Sequence, residues 1–459
     1  MKKLYAMMFV VVILSSLVLA NGVMNFVPAN ANFVLKFKNN AQNYDSLKKV
    51  EVFSFLLNDL GIENLIQSSV SQTAVSIGTK PSQIWNMTEN DFVIFASLDT
   101  QNLQSNVEIA LKGKSKILLD LLSSLVGGNV GSEKIGTYTM KTFETNGVTI
   151  YALDHDGYVL LSNSPHLLTR SIQTYDGKYS SFTFSKKIPS DSWFSFYTKL
   201  GNLTENSTLD MIPTSGYGYA QVKNGELMVT GISNFEYKDV NLKKRLLSFN
   251  PNAKSLQTMP STGNFWLGAD VADPVEFYDL MQKYAKDFGL KKEKFSLKEG
   301  KELAEHFSGK LFMDMDLSSQ EPSFVVRIYL SKDLSEYIPT LSKDASATFT
   351  WNGHTVLRDD TREGTRTSHT FTIFYPDKVV ISDLEPQKVE TFIKSPSKAE
   401  EMGNFSSFEK FLWSKSFLIG YVDLGDLIKS LLQYPLTSGA LFQMKFDEDA
   451  NLKWQLLIK

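Results

Sequence analysis

The strongest constraint on the fold is an octet that occurs twice, at positions 28–35 and 260–267. The two copies read Pro-Ala-Asn-Ala-Asn-Phe-Val-Leu and Pro-Ser-Thr-Gly-Asn-Phe-Trp-Leu. Proline ends the preceding segment and fixes φ, the small and polar residues favour a turn, and Phe-x-Leu indicates a strand with one apolar face. We therefore expect each copy to open a structural unit with the same first strand.

Further landmarks follow both octets in the same order. They include the hairpin signals Asn146-Gly147 and Asn352-Gly353 and helices that start with proline at Pro165 and Pro386. The spacing far exceeds the roughly 20–50 residues of a solenoid repeat. We predict an α+β protein with two tandem duplicated domains, each a mostly antiparallel sheet with helices packed on one face. The domains are expected at 24–237 and 258–459, joined by a charged linker at 238–257.

Residues 1–20 predict export. Lys2 and Lys3 precede the apolar run Leu4–Leu19, and Ala20 supplies the small residue that a signal peptidase reads. The run falls short of the roughly 20 apolar residues that span a bilayer, which favours a cleaved bacterial signal over an uncleaved anchor. The expected location is the periplasm or the extracellular side of a bacterial envelope. Membrane contact is expected only through this segment, if it stays uncut.

Composition excludes several classes of partner and site. Lys and Arg total 47 against 50 Asp and Glu, with no long run of like charge, so we expect no nucleic-acid partner. Cysteine is absent, which removes a lipid-modified cysteine, a thiol nucleophile and a thiolate metal site. Stability must then come from two substantial apolar cores.

The five histidines are scattered, and no two have a metal-binding helical spacing; they are His155, His166, His306, His354 and His369. The most suggestive cluster is His155 between Asp154 and Asp156, although a solvated hairpin tip is favoured. Asp314 and Asp316 could bind a divalent cation from one face of a strand. Alternation with Leu311, Met313, Met315 and Leu317 instead favours the solvent-exposed face of that strand.

A charged segment contains Asp359, Asp360, Arg362, Glu363 and Arg366. A long solvated hairpin excursion is favoured over an ion-paired contact surface. The sequence contains no nucleophile elbow, phosphate-binding loop, dinucleotide fingerprint or zinc-binding helix motif. No catalytic, cofactor-binding or metal-binding residue is therefore assigned, and no cofactor is expected.

The signal segment is followed by a strand with the pattern Pro-x-x-x-Asn-Phe-x-Leu, and the whole unit occurs twice. In this the chain resembles a domain-of-unknown-function family of secreted bacterial envelope proteins. The resemblance spans nearly the whole mature chain. It implies no activity and carries over no catalytic residue.

These observations favour an exported, non-catalytic envelope protein that acts as a binding or scaffolding module. An apolar groove between helices and sheet would suit a lipid-like ligand or a hydrophobic segment of an envelope protein. One alternative is a secreted hydrolase with a dispersed active site, which would need a pocket where histidine or carboxylate side chains converge. The other is a membrane-tethered accessory protein with an uncleaved N-terminal anchor.

Overall fold

The structure is a computed structural model that describes residues 22–38, 40–88, 90–99, 104–126, 128–145, 148–184, 187–199, 211–248, 251–271, 273–287, 297–318, 322–364 and 366–459. The predicted signal at 1–20 and the hairpin signal Asn146-Gly147 lie outside these ranges. The chain divides into two compact units. Unit 1 comprises Met1–Glu205 and Pro213–Ser233, and unit 2 comprises Asn206–Ile212 and Asn234–Lys459.

Unit 1 is built on antiparallel strands. Its described strands are β1 (Phe33–Phe37), β2 (Phe92–Asp99), β3 (Gln104–Lys112), β4 (Asn129–Ile135), β5 (Tyr138–Thr145), β6 (Val148–His155), β7 (Tyr158–Ser162), β8 (Phe194–Lys199), β9 (Met211–Lys223) and β10 (Glu226–Tyr237). Strands β9 and β10 each also supply residues to unit 2. The order across the sheet is β10-β9-β8-β1-β2-β3-β7-β6-β5-β4.

The helices described in unit 1 are α1 (Asn40–Leu47), α2 (Glu51–Ser54), α3 (Ile62–Ser76), α4 (Pro81–Thr88), α5 (Ser115–Val126) and α6 (Pro165–Tyr175). Helix α6 packs on one face of the sheet, where Leu168 and Ile172 meet Phe95. Helix α5 packs on the other face, where Leu118 and Leu119 join a second cluster. Successive strand residues point to opposite faces, so these two clusters use alternate positions of the same strands.

Unit 2 contains a second antiparallel set of strands. They are β11 (Phe265–Asp270), β12 (Phe307–Asp316), β13 (Ser323–Leu330), β14 (Ala347–Trp351), β15 (His354–Glu363), β16 (Arg366–Phe374), β17 (Lys378–Ser382), β18 (Leu418–Asp423), β19 (Gly439–Phe446) and β20 (Leu452–Ile458). Their order is β20-β19-β18-β11-β12-β13-β17-β16-β15-β14. The helices described here are α7 (Val240–Ser248), α8 (Pro274–Asp287), α9 (Leu297–Ala304), α10 (Ile338–Leu341), α11 (Pro386–Ile393) and α12 (Leu424–Leu432).

The α+β class with mostly antiparallel pairing is confirmed. In unit 1 the helices nevertheless lie on both faces of the sheet, where the sequence predicted one. The ten strands of the first set pair in the same order as the ten of the second set. The duplicated origin of the two sets stays a prediction, as do the domain limits. Residues 238–257, predicted to be a linker, contain helix α7 and belong to unit 2.

The octets open β1 and β11 as predicted, but their buried face is the opposite one. Val34 and Trp266, each between the Phe and Leu of the octet, are fully buried, whereas Phe33 and Leu35 are only partly buried. The expectation that Phe-x-Leu supplies the apolar face was therefore wrong. Both faces of the central strands contact other residues, so simple alternation does not reveal which face is deeper.

The spacing of the apolar residues from Leu47 to Leu60 predicts one continuous helix that begins near Ser46, but this helix is interrupted. Helix α1 ends at Leu47, and α2 is followed by a π-helical turn at Phe55–Asp59. Within the ranges described, which begin at residue 22, no helix is long and apolar enough to cross a membrane.

Candidate functional site

The described residues of unit 2 form an apolar pocket of about 220 Å³. Helices α7 and α8 contribute one side, and the ends of strands β10, β19 and β20 contribute another. The pocket wall exposes no polar surface. Its apolar lining residues are Met211, Phe235, Leu242, Leu246, Val271, Phe277, Phe417, Phe446 and Leu452.

Aromatic rings dominate this pocket. Phe417 and Phe446 stack with their ring centroids 5.2 Å apart. Phe277 is 47% exposed, although the sequence places it on the apolar stripe of α8. A large apolar side chain left in solvent beside an apolar concavity is typical of a binding site.

The start of α8 holds Phe277 in place. The Asp273 side chain accepts hydrogen bonds from the backbone N–H groups of Val275 and Glu276, both at 3.0 Å, and Pro274 occupies the first helical position. Asp273 therefore caps helix α8, which begins at Pro274. The Phe277 N–H then donates to the Asp273 carbonyl at 2.9 Å, so the pocket residue sits on the first turn of a capped helix.

Charged residues border the apolar pocket without opening it to polar groups. Arg245 on α7 lies 2.7 Å from the Glu276 carboxylate and 3.7 Å from that of Asp239. These side chains are about a third to nearly half exposed, and such surface pairs contribute only about 0–1 kcal/mol. Arg245 and Glu276 both line the pocket, and their charged ends pair with each other at its partly exposed border.

A second cavity of about 310 Å³ adjoins the same helix in unit 2. Val271 and Phe277 line both this cavity and the apolar pocket. Its other apolar residues include Ala269, Pro274, Ala304, Phe307, Leu311 and Ile328. Phe277 therefore lies between two apolar spaces at the beginning of α8.

Unit 1 carries a cavity of different chemistry, a polar cleft of about 480 Å³. Lys36 of β1 and Lys38, the residue after β1, line it together with the hydroxyl-bearing residues Ser181, Thr183, Ser190 and Ser195. Lys36 is half-buried, and burial is the main cause that lowers the pKa of its ammonium group. Asp91 opposes this shift and Lys38 adds to it.

Glu108 on β3 is a fully buried carboxyl group of unit 1. Ser171 on α6 donates a hydrogen bond to Glu108 Oε2 at 2.8 Å, while Oε1 has no hydrogen-bond partner among the described residues. Burial raises the pKa of Glu108 well above its usual range, and the Ser171 bond opposes this only in part. Burial therefore favours the neutral form of this carboxyl group.

Asp314 corrects a prediction. The sequence assigned it to the solvent-exposed face of β12, but its side chain is fully buried. Ser261 Oγ and the backbone N–H groups of Thr262 and Gly263 donate to it at 3.0–3.1 Å, and Arg327 Nη2 lies 3.8 Å away. Burial raises the pKa of Asp314 and lowers that of Arg327, because these contacts only partly replace water.

The structure keeps the histidines apart. His155 stands at a hairpin tip, as predicted, where its Nε2 lies 3.4 Å from Asp176 and its ring contacts Tyr175 edge-on. His306 Nδ1 lies 2.7 Å from the Asp333 carbonyl oxygen, His354 packs against a tyrosine ring, and His166 is exposed on α6. Within the described part of the chain, no group of three histidine or acidic side chains could hold a metal ion.

The charged segment around Asp359 and Asp360 forms the paired strands β15 and β16. This confirms the predicted hairpin. Asp360 lies 2.8 Å from His369 Nδ1 and 2.9 Å from Arg358 Nε, and the hydrogen bond with His369 is the main cause that lowers the pKa of Asp360. Asp316, the other proposed metal ligand, instead accepts from the N–H and hydroxyl of Ser318.

Sequence reasoning expected an apolar groove but named none of the residues of the apolar pocket, and it missed the polar cleft altogether. The pocket residues come from distant elements, and each looks like an ordinary core position in its own helix or strand. The one available signal for the cleft was Lys36 between Leu35 and Phe37, a charged residue inside an apolar strand.

No protein-family model matches the sequence, and no curated protein does. Among solved structures, crystal form III of TP0453 has a TM-score of 0.31 and 11% identity, and the match covers 53% of this chain and 90% of that chain. Crystal form I has a TM-score of 0.29 and 11% identity, and the match covers 52% of this chain and 88% of that chain. Crystal form IV has a TM-score of 0.27 and 10% identity, and the match covers 46% of this chain and 79% of that chain. Scores this low carry no argument about fold or function.

Proposed function

We propose that this protein is exported and non-catalytic, and that unit 2 binds the alkyl chain of a lipid-like ligand in its apolar pocket. The observation that carries the proposal is a concave site whose wall exposes no polar surface and whose mouth includes the half-exposed ring of Phe277. The resemblance to secreted envelope proteins, itself still a prediction, agrees with such a role.

The size of the apolar pocket suits part of an alkyl chain. Engineered apolar cavities of about 150 Å³ bind benzene, and this pocket has about 220 Å³. The second cavity beside Phe277 offers further apolar space of about 310 Å³. Together they approach the several hundred Å³ typical of small-molecule sites.

The absence of polar surface on the wall favours an alkyl chain over a peptide. A peptide backbone brings N–H and C=O groups, and burying them without partners is costly. An alkyl chain brings none. The two carboxylates that line the pocket, Asp273 and Glu276, are engaged as a helix cap and an ion pair, which favours binding over hydrolysis.

The test is a series of n-alkyl maltosides with chains of six, eight and ten carbons, titrated against the whole protein by calorimetry. Each buried methylene contributes about 0.8 kcal/mol, so affinity should rise about fourfold per carbon until the pocket is full. The critical variant is Leu246→Glu, which places a carboxylate in the pocket wall. We expect it to lower affinity at least about tenfold.

The matched control is Leu247→Glu, the same change one position further along α7 at a residue outside the pocket lining. It should leave affinity unchanged. Binding that ignores chain length, or an equal loss in both variants, would contradict the proposed pocket. Peptide binding without alkyl binding would replace the lipid-like ligand with a protein segment.

Export is the second part of the proposal. Val23, Phe26 and Val27, close behind the predicted cut at Ala20, are fully buried in the core of unit 1. The described chain is therefore packed into the core within three residues of the predicted cut. N-terminal sequencing of the mature protein should find Asn21 first, and a chain that retains Met1–Ala20 would support the tethered alternative.

A further inference from the structure

We infer that the polar cleft of unit 1 is a binding site for a phosphate group. The site is centred on Lys36 of β1 and on Lys38, the residue that follows this strand. It is independent of the apolar pocket, because all of its lining residues belong to unit 1.

Lys36 is the central observation. Strand register places it directly opposite Ser195 of β8, which is buried, so both side chains leave the same face of the sheet. Within the described residues its ammonium group makes neither a hydrogen bond nor an ion pair within 4 Å, although it is half-buried. Buried Asp91 favours the charged form of this ammonium group but forms no ion pair with it within 4 Å, and a bound anion would offset the remaining cost of its burial.

Other donors surround this charge. Lys38 uses one N–H bond on the Ser190 carbonyl oxygen at 2.9 Å, which leaves two N–H bonds on the same ammonium group. The hydroxyl groups of Ser181, Thr183 and Ser195 and the amide of Asn25 also line the cleft. No carboxylate does. The cleft therefore presents cations and neutral donors to whatever enters it.

These donors fit a tetrahedral phosphate better than a planar carboxylate. Carboxylates are held most specifically by the flat, two-pronged guanidinium of arginine, and the cleft lining contains none. Lysine acts as a compact point charge and is a common phosphate ligand, while hydroxyl groups reach the remaining oxygens. At about 480 Å³ the cleft has room for a phosphate and for the group that carries it.

The test is titration of the whole protein with inorganic phosphate, followed by calorimetry and by ³¹P line broadening. Lys36→Gln should weaken binding at least about tenfold, because it removes a charged donor from a partly desolvated site. Lys38→Gln should weaken it about threefold, since that ammonium group is shared with a carbonyl oxygen. Lys134→Gln, an exposed lysine on β4 of the same unit, is the matched control and should change nothing.

Two further arms identify the source of the phosphate. Glycerol 3-phosphate represents a free phosphomonoester, and vesicles of phosphatidic acid in phosphatidylcholine represent a lipid headgroup, with pure phosphatidylcholine vesicles as control. Binding to any phosphate form that needs Lys36 supports the site. Binding to none of them, or a loss of equal size in Lys134→Gln, overturns it.

The variant Lys36→Met distinguishes a lost binding site from a misfolded protein. Removing a partly desolvated charge from a strand should leave the thermal midpoint unchanged or raise it while phosphate binding is lost. A lower midpoint together with lost binding would show that Lys36 serves the fold instead and would overturn the inference. Alkyl maltoside binding in the same variants reports on unit 2, so failure of one site is distinguishable from failure of the other.

Discussion

The two units place different chemistry at matching positions of the same strand order. One row of paired residues crosses unit 1 as Val34, Phe95, Glu108 and Ser162, and the matching row of unit 2 is Trp266, Asp314, Val325 and Ser382. The next row of paired residues on the same face contains Lys36 in unit 1 and Arg327 in unit 2. Each unit thus carries a buried acid and a partly or fully buried base on one face of its central strands.

The difference lies in how each charge is satisfied. In unit 2 the acid and base are 3.8 Å apart, and the second octet adds its backbone N–H groups. Gly263 permits this approach, because a Cβ there would lie 2.0 Å from the Met315 carbonyl oxygen. In unit 1 the acid accepts a hydrogen bond from a serine, and the base faces a cleft without a close ion pair. The same sheet order therefore tolerates either a buried pairing of acid and base or a base directed into a cleft.

The largest effect is expected from Asp314→Ala. It leaves the Arg327 charge buried without its acid and leaves three hydrogen-bond donors of the second octet without their acceptor. The free energy of unfolding should therefore fall by about 3–5 kcal/mol. Urea unfolding measures the loss, and hydrogen exchange assigns it to unit 2. Asp316→Ala, on the same strand but only partly buried, is the control. If the two variants lose the same stability, the internal pairing in unit 2 is not important.

Glu108→Gln tests the neutral acid of unit 1. The folded pKa is raised, so the native state keeps a proton that the unfolded state loses above about pH 4.5. Stability from this group is complete below that pH and should fall by about 1.4 kcal/mol per pH unit as pH rises towards the native pKa.

The Glu108→Gln variant should lack this pH dependence, so its stability relative to the wild type should increase as pH rises. Thermal midpoints between pH 4 and pH 9 measure the difference in stability, and hydrogen exchange assigns it to unit 1. Parallel curves for wild type and variant would mean that Glu108 is charged in the folded protein and that the proposed contrast with Asp314 fails.

The smallest effect on stability is expected from the serine that both units carry at the end of the row. Ser162 donates to the Val107 carbonyl oxygen at 2.7 Å and accepts from the Ser164 N–H at 3.0 Å. Ser382 likewise donates to the Phe324 carbonyl oxygen at 2.6 Å and accepts from the Leu384 N–H at 3.0 Å. Alanine at either position should cost about 1 kcal/mol, and the two losses should agree. Unequal losses in matched urea titrations would show that the two rows differ beyond their charges.

Local signals predicted much of the fold. The Asp-Gly and Asn-Gly turns at 156–157, 224–225 and 352–353 have positive φ at both residues, as type I′ hairpins require. The prolines at 165, 274 and 386 begin helices. These features depend on residues close in sequence, so backbone sterics and capping determine them without reference to the rest of the chain.

The buried charges and the sites could not be predicted in this way. Asp314 alternates with apolar residues like any solvent-facing acid, and its burial depends on Arg327 and on the distant octet. The apolar pocket needs residues from two helices and several strand ends. Alternation of apolar and polar residues shows that a strand has two different faces. Which face is more deeply buried depends on the helices and loops that pack against it.

The apolar pocket also determines when during synthesis unit 2 can be complete. Met211 is the first residue of the lining to be made, Phe235 and Leu242 follow, and Leu452 is the last. Such non-local contacts form slowly, because the ends of a long chain segment must meet first. Phe235 and Phe277 are therefore made long before Leu452, so chaperones should engage unit 2 for longer than unit 1 during synthesis.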